Sequence, residues 1–234
     1  MEDLLEYILS TFNFYINLDA RQYSRNSKLK LLDKSKYSIY ITPILYPEIK
    51  INRTEYYYFI AKAIQEWSNA LYKKILFEIV EVPSDADIIV YWTKSTNKYA
   101  GMQYQQNNKL CISIGIVDRN GYPHDSKYVY STILHEFGHI LGLGHSPSIE
   151  DIMYKNVNTG IEFLSDQDKF VLNLIYTIGN NKTYSEAKYI IDELIAKKNQ
   201  STLIEETKRN LCEDLDLISN INKRNIFLQN KNKK

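Results

Sequence analysis

Cysteine, histidine and long apolar runs are all scarce in this chain, and each scarcity closes off a class of protein. Only two cysteines occur in 234 residues. They are Cys111 and Cys212, far apart in the chain, which excludes a disulfide scaffold and any cysteine-rich zinc or iron–sulfur module. No apolar run approaches the roughly 18–20 residues of a membrane-spanning helix, so membrane insertion is not expected. The stretch from Met1 to Ala20 carries acids ahead of any base and polar residues inside every apolar segment. A secretory signal has the opposite character, so no export is expected and the cytoplasm is the default compartment. Charge of one sign is not in excess either. With 29 Lys+Arg against 28 Asp+Glu the net charge is +1, which advertises neither a nucleic-acid partner nor an anionic membrane. There is no internal repeat and no low-complexity segment. Histidine occurs four times, a poor stock for a metal protein until the positions are read.

What is present is an ordinary globular composition, 44% apolar and 24% charged, long enough for one sizeable core and falling between one and two domains. Residues 37–44 mix β-branched and aromatic residues and read as a strand. Over 54–74 the period changes, with Ile60, Ile64, Trp67 and Leu71 at helical spacing. Strands are predicted at 76–82 and 87–93, around the turn residues Pro83, Ser84 and Asp85, and again at 101–105 and 109–116. A second helix is predicted at 127–142, with Ile133, Leu134, Phe137, Ile140 and Leu141 on one face. A third runs from an N-cap at Ser165, with Asp168 in the capping-box position, to Tyr176, and Gly179 is its stop. These elements predict an α+β domain over 36–179, preceded by an extension at 1–35. Beyond 180 two amphipathic helices are predicted, one from Ala187, Ile190, Ile191, Leu194 and Ile195, the other from Ile204, Leu211, Leu215 and Ile218. They form a mildly basic helical appendage over 180–234.

The chemistry is concentrated in HEFGHILGLGHS, residues 135–146. His135 and His139 are four apart on a helix, so both imidazoles leave the same face one turn apart and can grip one metal ion. Glu136 stands beside the first ligand, placed to act on a metal-bound water without ligating the metal. Gly142 lets the chain leave the helix by a left-handed turn, which swings His145 back as a third ligand. Three protein nitrogens leave a fourth position for water, the arrangement of a catalytic rather than a structural zinc. Accidental histidines would rarely fall at this spacing. A purely structural site would normally supply a fourth protein ligand.

On these residues the chain resembles the metzincin zinc endopeptidases, and among them the matrixins. The elongated motif matches at His135, Glu136, His139, Gly142 and His145, and Ser146 follows the third histidine as in matrixins. DIMY, residues 151–154, resembles the family's Met-turn, with Met153 as a hydrophobic floor under the zinc. FLSDQDKFVLNLIY, residues 163–176, resembles the segment opening the last helix of the catalytic domain, at Leu164, Ser165, Asp168 and Tyr176. AIQEWSNAL and ADIIVYW fall where a matrixin has its first helix and third strand. The resemblance covers roughly 37–178. It implies a twisted, mostly parallel five-stranded mixed sheet with an antiparallel edge strand, an active-site helix, and a substrate peptide paired with that edge, for which Ala100 to Tyr104 is the candidate. It also implies a substrate pocket near Tyr154, with Lys155 opening its outer wall.

The expected activity is zinc-dependent peptide-bond hydrolysis by a monomer acting on a protein or peptide. Zinc held by His135, His139 and His145 would lower the pKa of its bound water, with Glu136 as general base and then general acid. The alternative is a catalytically inactive zinc-binding scaffold whose C-terminal helices recruit a partner. Departures from the matrixin pattern are also visible. Lys155 stands where proline often follows Met-Tyr. No cysteine-switch latency motif is present, and Cys111 and Cys212 read as passive thiols. Only His124 remains for a second, structural zinc, which is therefore expected to be absent. Asp118, Asn120 and Asp125 around Gly121 could hold calcium, but a solvated turn is the better reading.

Overall fold

A computed structural model of the chain describes residues 2–17, 29, 31–46, 52–95, 100–156, 161–183, 186–187 and 189–191. In chain order its elements are α1 (Glu2–Asn17), β1 (Lys36–Ile41), α2 (Arg53–Ala70), β2 (Leu76–Val80), β3 (Ile88–Lys94), β4 (Gly101–Gln106), β5 (Lys109–Val117), α3 (Ser126–Ile140) and α4 (Asp166–Ile178), with a single 3-10 turn at Pro83–Asp85. The five strands form one sheet in the order β2-β1-β3-β5-β4. β1 pairs in parallel with both β2 and β3, and β3 with β5, while β4 runs antiparallel to β5. This is the α+β fold with a five-stranded mixed sheet and an antiparallel edge that the sequence predicts.

Local chemistry explains most boundaries. Tyr37, Ile39 and Ile41 alternate inward along β1. Asn52 caps α2 by accepting from the Glu55 amide, and Tyr56, Ile60, Ala63, Ile64 and Trp67 form its buried stripe. The predicted extension of α2 to 74 does not occur. Tyr72 and Lys73 take positive φ values, turning the chain so that Leu76 pairs with Lys36. Strand β2 ends at Val80 rather than 82. The β4–β5 hairpin turns on Asn107 and Asn108, at φ 51° and 62°, the left-handed pair that a two-residue hairpin demands. Helix α4 opens with the full capping box of Ser165 and Asp168 and ends at Gly179, φ 91°.

The main core lies between the sheet and the helices. Trp67 crosses it to donate its indole N–H to the Leu134 carbonyl, 3.0 Å away, which locks α2 to α3. Helix α1 forms within the stretch that the sequence marks only as an extension. Leu4, Tyr7, Ile8, Thr11 and Phe12 recur at helical spacing, and Tyr7, Ile8 and Phe12 are buried in that same core. Of the helices predicted beyond 180, Ala187 and Ile191 are buried, whereas Leu194, Ile195 and the second helix lie outside the described residues. Among the described residues no helix is long and apolar enough to cross a membrane.

Candidate metal centre

Helix α3 is buried from Val129 to Ile140, so its histidines face protein on all sides. At its end the chain reverses: Leu141, Gly142 and Leu143 donate their amides to Phe137, His139 and Gly138, and Gly142 sits at φ 102°, where a β-carbon would be strained. The reversal delivers His145 beside the helical pair. Ring centroids are 4.6 Å apart for His135–His139, 4.9 Å for His139–His145 and 5.3 Å for His135–His145. One donor atom from each of the three lies within 4.8 Å of the others.

Hydrogen bonding sets the tautomers. The Nδ1 of His135 is 2.8 Å from the Ile152 carbonyl and that of His139 is 2.8 Å from the Leu143 carbonyl. A carbonyl only accepts, so both rings carry their proton on Nδ1 and keep the lone pair on Nε2. Burial holds His135 down to about 4 and His139 well below the usual histidine value. His145 is lowered by burial and then by the Lys155 ammonium. Three imidazoles held toward the neutral form, two of them with fixed tautomers, are a donor set that suits zinc.

Glu136 is 4% exposed. Its Oε2 is buried with no hydrogen-bond partner, and burial pushes the carboxyl up to about 8. Strand β4 closes over it: a β-carbon on Gly101 would fall 2.6 Å from the Glu136 Cγ. Glycine is required there for edge strand and carboxyl to approach this closely. A buried carboxyl oxygen left unpaired is costly, and such costs concentrate where a ligand completes the site.

Met153 is fully buried, with its side chain against Gly138, between the two helical histidines in the chain. A β-carbon on Gly138 would meet its sulfur at 2.2 Å, so the glycine inside HEFGH makes room for the methionine. Gly138→Ala is expected to cost about 1–3 kcal/mol through overpacking. Urea unfolding of the two proteins measures this, and an unchanged midpoint would rule the contact out as a constraint. Tyr154 is half-buried and Lys155 exposed. The chain then passes through 157–160, outside the described residues, and returns at Ile161, whose carbonyl accepts from the Ser131 hydroxyl.

The segment bearing Met153 is held from below by Asp168. Its Oδ2 accepts from the Ile152 amide and from the Ser165 amide and hydroxyl, and its Oδ1 accepts from the Tyr7 hydroxyl at 2.9 Å. Burial, joined by the nearby Asp151, pushes Asp168 up to about 6 against these hydrogen bonds. With a folded-state value above the ordinary one near 4, folding favours the protonated acid. That stabilisation is complete below about pH 4 and disappears as pH rises through about 6. The stability of the native chain relative to Asp168→Asn is therefore expected to fall by about 3 kcal/mol between pH 4 and pH 7. Urea titrations across that range test the sign, and a difference independent of pH would contradict it.

Other candidates are occupied locally. Asp118 accepts from the amides of Asn120 and Tyr122, and Asp125 caps α3 through the Lys127 amide. His124 bonds the Ser95 hydroxyl at 2.7 Å and packs on Tyr128. Cys111 is buried, which raises its thiol pKa, and Cys212 lies outside the described residues. Tyr7, Thr11, Gly101 and Gly138 shape the centre without having been singled out from the sequence. The close apposition of the two glycines to other elements left no local signature.

A comparison with protein families finds that residues 92–177 match the model of the family described as Matrixin. The match begins within β3, takes in the whole histidine motif and the Met153 segment, and ends within α4. Over these residues the chain is similar to that family, and the triad is able to hold a metal. No curated protein matches the chain.

Proposed function

We propose that this chain, matrixin-like over residues 92–177, is a zinc-dependent metalloendopeptidase that hydrolyses peptide bonds in a protein or peptide substrate. The observation that carries the reading is the buried Glu136 carboxyl, whose Oε2 has no hydrogen-bond partner, one residue from the first of three converging imidazoles. His135, His139 and His145 would hold the ion. Zinc in a three-nitrogen site supplies a Lewis acid and makes water acidic enough to attack near neutral pH.

The chain's own groups do the rest. Glu136 takes a proton from the attacking water and returns it to the departing amine, a role for which a carboxyl raised toward neutrality is matched. Strand β4 offers its outer edge to an extended peptide, and the bare Cα of Gly101 brings that edge down onto Glu136. Met153 supports the histidines from beneath, and Tyr154 with Lys155 borders the pocket for the residue after the scissile bond. Residues 36–179 form the catalytic unit, with 1–35 and 180–234 as attachments.

Incubation of the purified chain with a generic peptide library, with and without a chelator, tests this. Chelator-sensitive cleavage is expected, and its absence would favour the inactive scaffold. The Lys155 ammonium is close enough to bear on His145, and with Lys155 at the pocket border substrates with an acidic residue after the scissile bond are expected to be preferred. Lys155→Glu is expected to change the acidic-to-basic preference by roughly fivefold, the size of an exposed ion pair. Competition between paired peptides measures it, and an unaltered preference removes Lys155 from the pocket.

A further inference from the structure

The two residues flanking His145 are anchored to different parts of the protein. On one side the Ser146 amide donates to the Met153 carbonyl at 2.7 Å. On the other, the Gly144 amide donates to the Thr11 hydroxyl of α1 at 3.1 Å. Thr11 is oriented for this because its own hydroxyl donates to the Tyr7 carbonyl at 3.0 Å, which leaves a lone pair for Gly144. The approach is backbone to backbone: a β-carbon on Gly144 would lie 2.5 Å from the carbonyl carbon and oxygen of Ser10 and 2.6 Å from the Thr11 nitrogen. One helical turn away from Thr11, Tyr7 reaches the second anchor. Its hydroxyl holds Asp168 Oδ1, whose partner oxygen holds the Ile152 amide, and the Ile152 carbonyl orients His135 through Nδ1.

We infer that α1 is a built-in brace of the metal loop, with Thr11 positioning His145 and Tyr7 positioning His135 through Asp168 and Ile152. The inference rests on reading the triad as a zinc site. Residues 7 and 11 share a helix face, so one element grips two segments of the centre that are separated along the chain. Thr11 is the closer lever, because it holds the residue adjacent to a ligand. A ligand on a loop has more freedom to lose than one on a helix, so the brace acts on metal retention and on the geometry of the loaded site.

The test uses the full chain loaded with zinc. The rate at which a chromogenic chelator strips the ion is measured for the native chain, Thr11→Val, Thr11→Ser and Tyr7→Phe. Ile39→Val, a trimmed core residue on β1, serves as a control for simple loss of stability. Thr11→Val is expected to lose zinc about tenfold faster, as when a group orienting a ligand is removed, with kcat lowered and KM unchanged. Thr11→Ser, which keeps the hydroxyl, is expected to restore the native rate, and Tyr7→Phe to fall between. Ile39→Val is expected to lower Tm without changing zinc loss. If Thr11→Val does not fold, Tyr7→Phe carries the same readout. Native zinc retention in Thr11→Val or, should it not fold, in Tyr7→Phe would overturn the brace. So would zinc loss in Ile39→Val that tracks Tm as closely as in the α1 variants. A native chain that takes up no zinc would overturn the reading of the triad, an outcome distinct from a failed brace.

Discussion

Glu136→Gln is expected to lower kcat for peptide hydrolysis by about 10²–10⁴-fold, the range that a positioned acid–base group contributes, while the chain still binds one zinc. The amide is nearly isosteric with the carboxyl but cannot accept and return a proton. Its volume fits beneath Gly101, whose missing β-carbon leaves the room that the Glu136 side chain occupies. The centre itself should persist, since the ligand rings are held by the Ile152 and Leu143 carbonyls and not by Glu136. Stability is expected to hold or rise slightly, because a buried carboxyl raised to about 8 is replaced by a neutral group. Steady-state kinetics with a fluorogenic peptide, paired with metal analysis, separates the two effects. Full activity in the variant would remove Glu136 from the chemistry, whereas loss of zinc along with activity would make it a structural support.

A second large effect is expected at Asp168. Replacement by alanine leaves the Ile152 amide, the Ser165 amide and hydroxyl and the Tyr7 hydroxyl without their acceptor in a fully buried position. The cost is expected to be about 3–5 kcal/mol at neutral pH, the range for breaking a buried, hydrogen-bonded charge, or a fall in Tm of roughly 10 °C in a domain of this size. The damage should spread along two paths. Loss of the carboxylate half of the capping box weakens the start of α4, and release of Ile152 loosens the carbonyl that orients His135. Thermal unfolding of the zinc-loaded and chelator-treated protein measures both. If Asp168→Ala unfolds at the native temperature, Asp168 is not the hub that its hydrogen bonds describe.

How far the chain could be read in advance depended on the range of the interactions involved. The strands at 37–44 and 87–93 and the helices around Trp67 and Phe137 were legible because apolar periodicity is a property of a few consecutive residues. Their ends were less so: α2 stops at Ala70 because Tyr72 and Lys73 adopt positive φ, and neither residue type announces that. Helix α1 carries a helical pattern of its own in Leu4, Tyr7, Ile8, Thr11 and Phe12, within what the sequence marks only as an extension. The capping box of Ser165 and Asp168 was visible, but only as a helix start. That Asp168 also receives Tyr7 is a contact across 161 positions, and no local pattern encodes it.

The candidate metal centre shows the same division. That His135 and His139 share a helix face, and that Gly142 frees the chain to turn back, follows from the order of residues, because helical pitch and a missing β-carbon are local facts. The match of residues 92–177 to the Matrixin family draws on that same order. The closeness of Gly138 to the Met153 sulfur, the descent of Gly101 onto Glu136, the orphaned Oε2 and the grip of Thr11 on Gly144 came only with packing. Each joins surfaces from distant parts of the chain, whose meeting depends on how sheet and helices stack around one core. Chain order is sufficient to nominate His135, Glu136, His139 and His145 as the candidate groups. Packing decides how closely they are held, and whether a buried carboxyl is satisfied or left to wait for a partner.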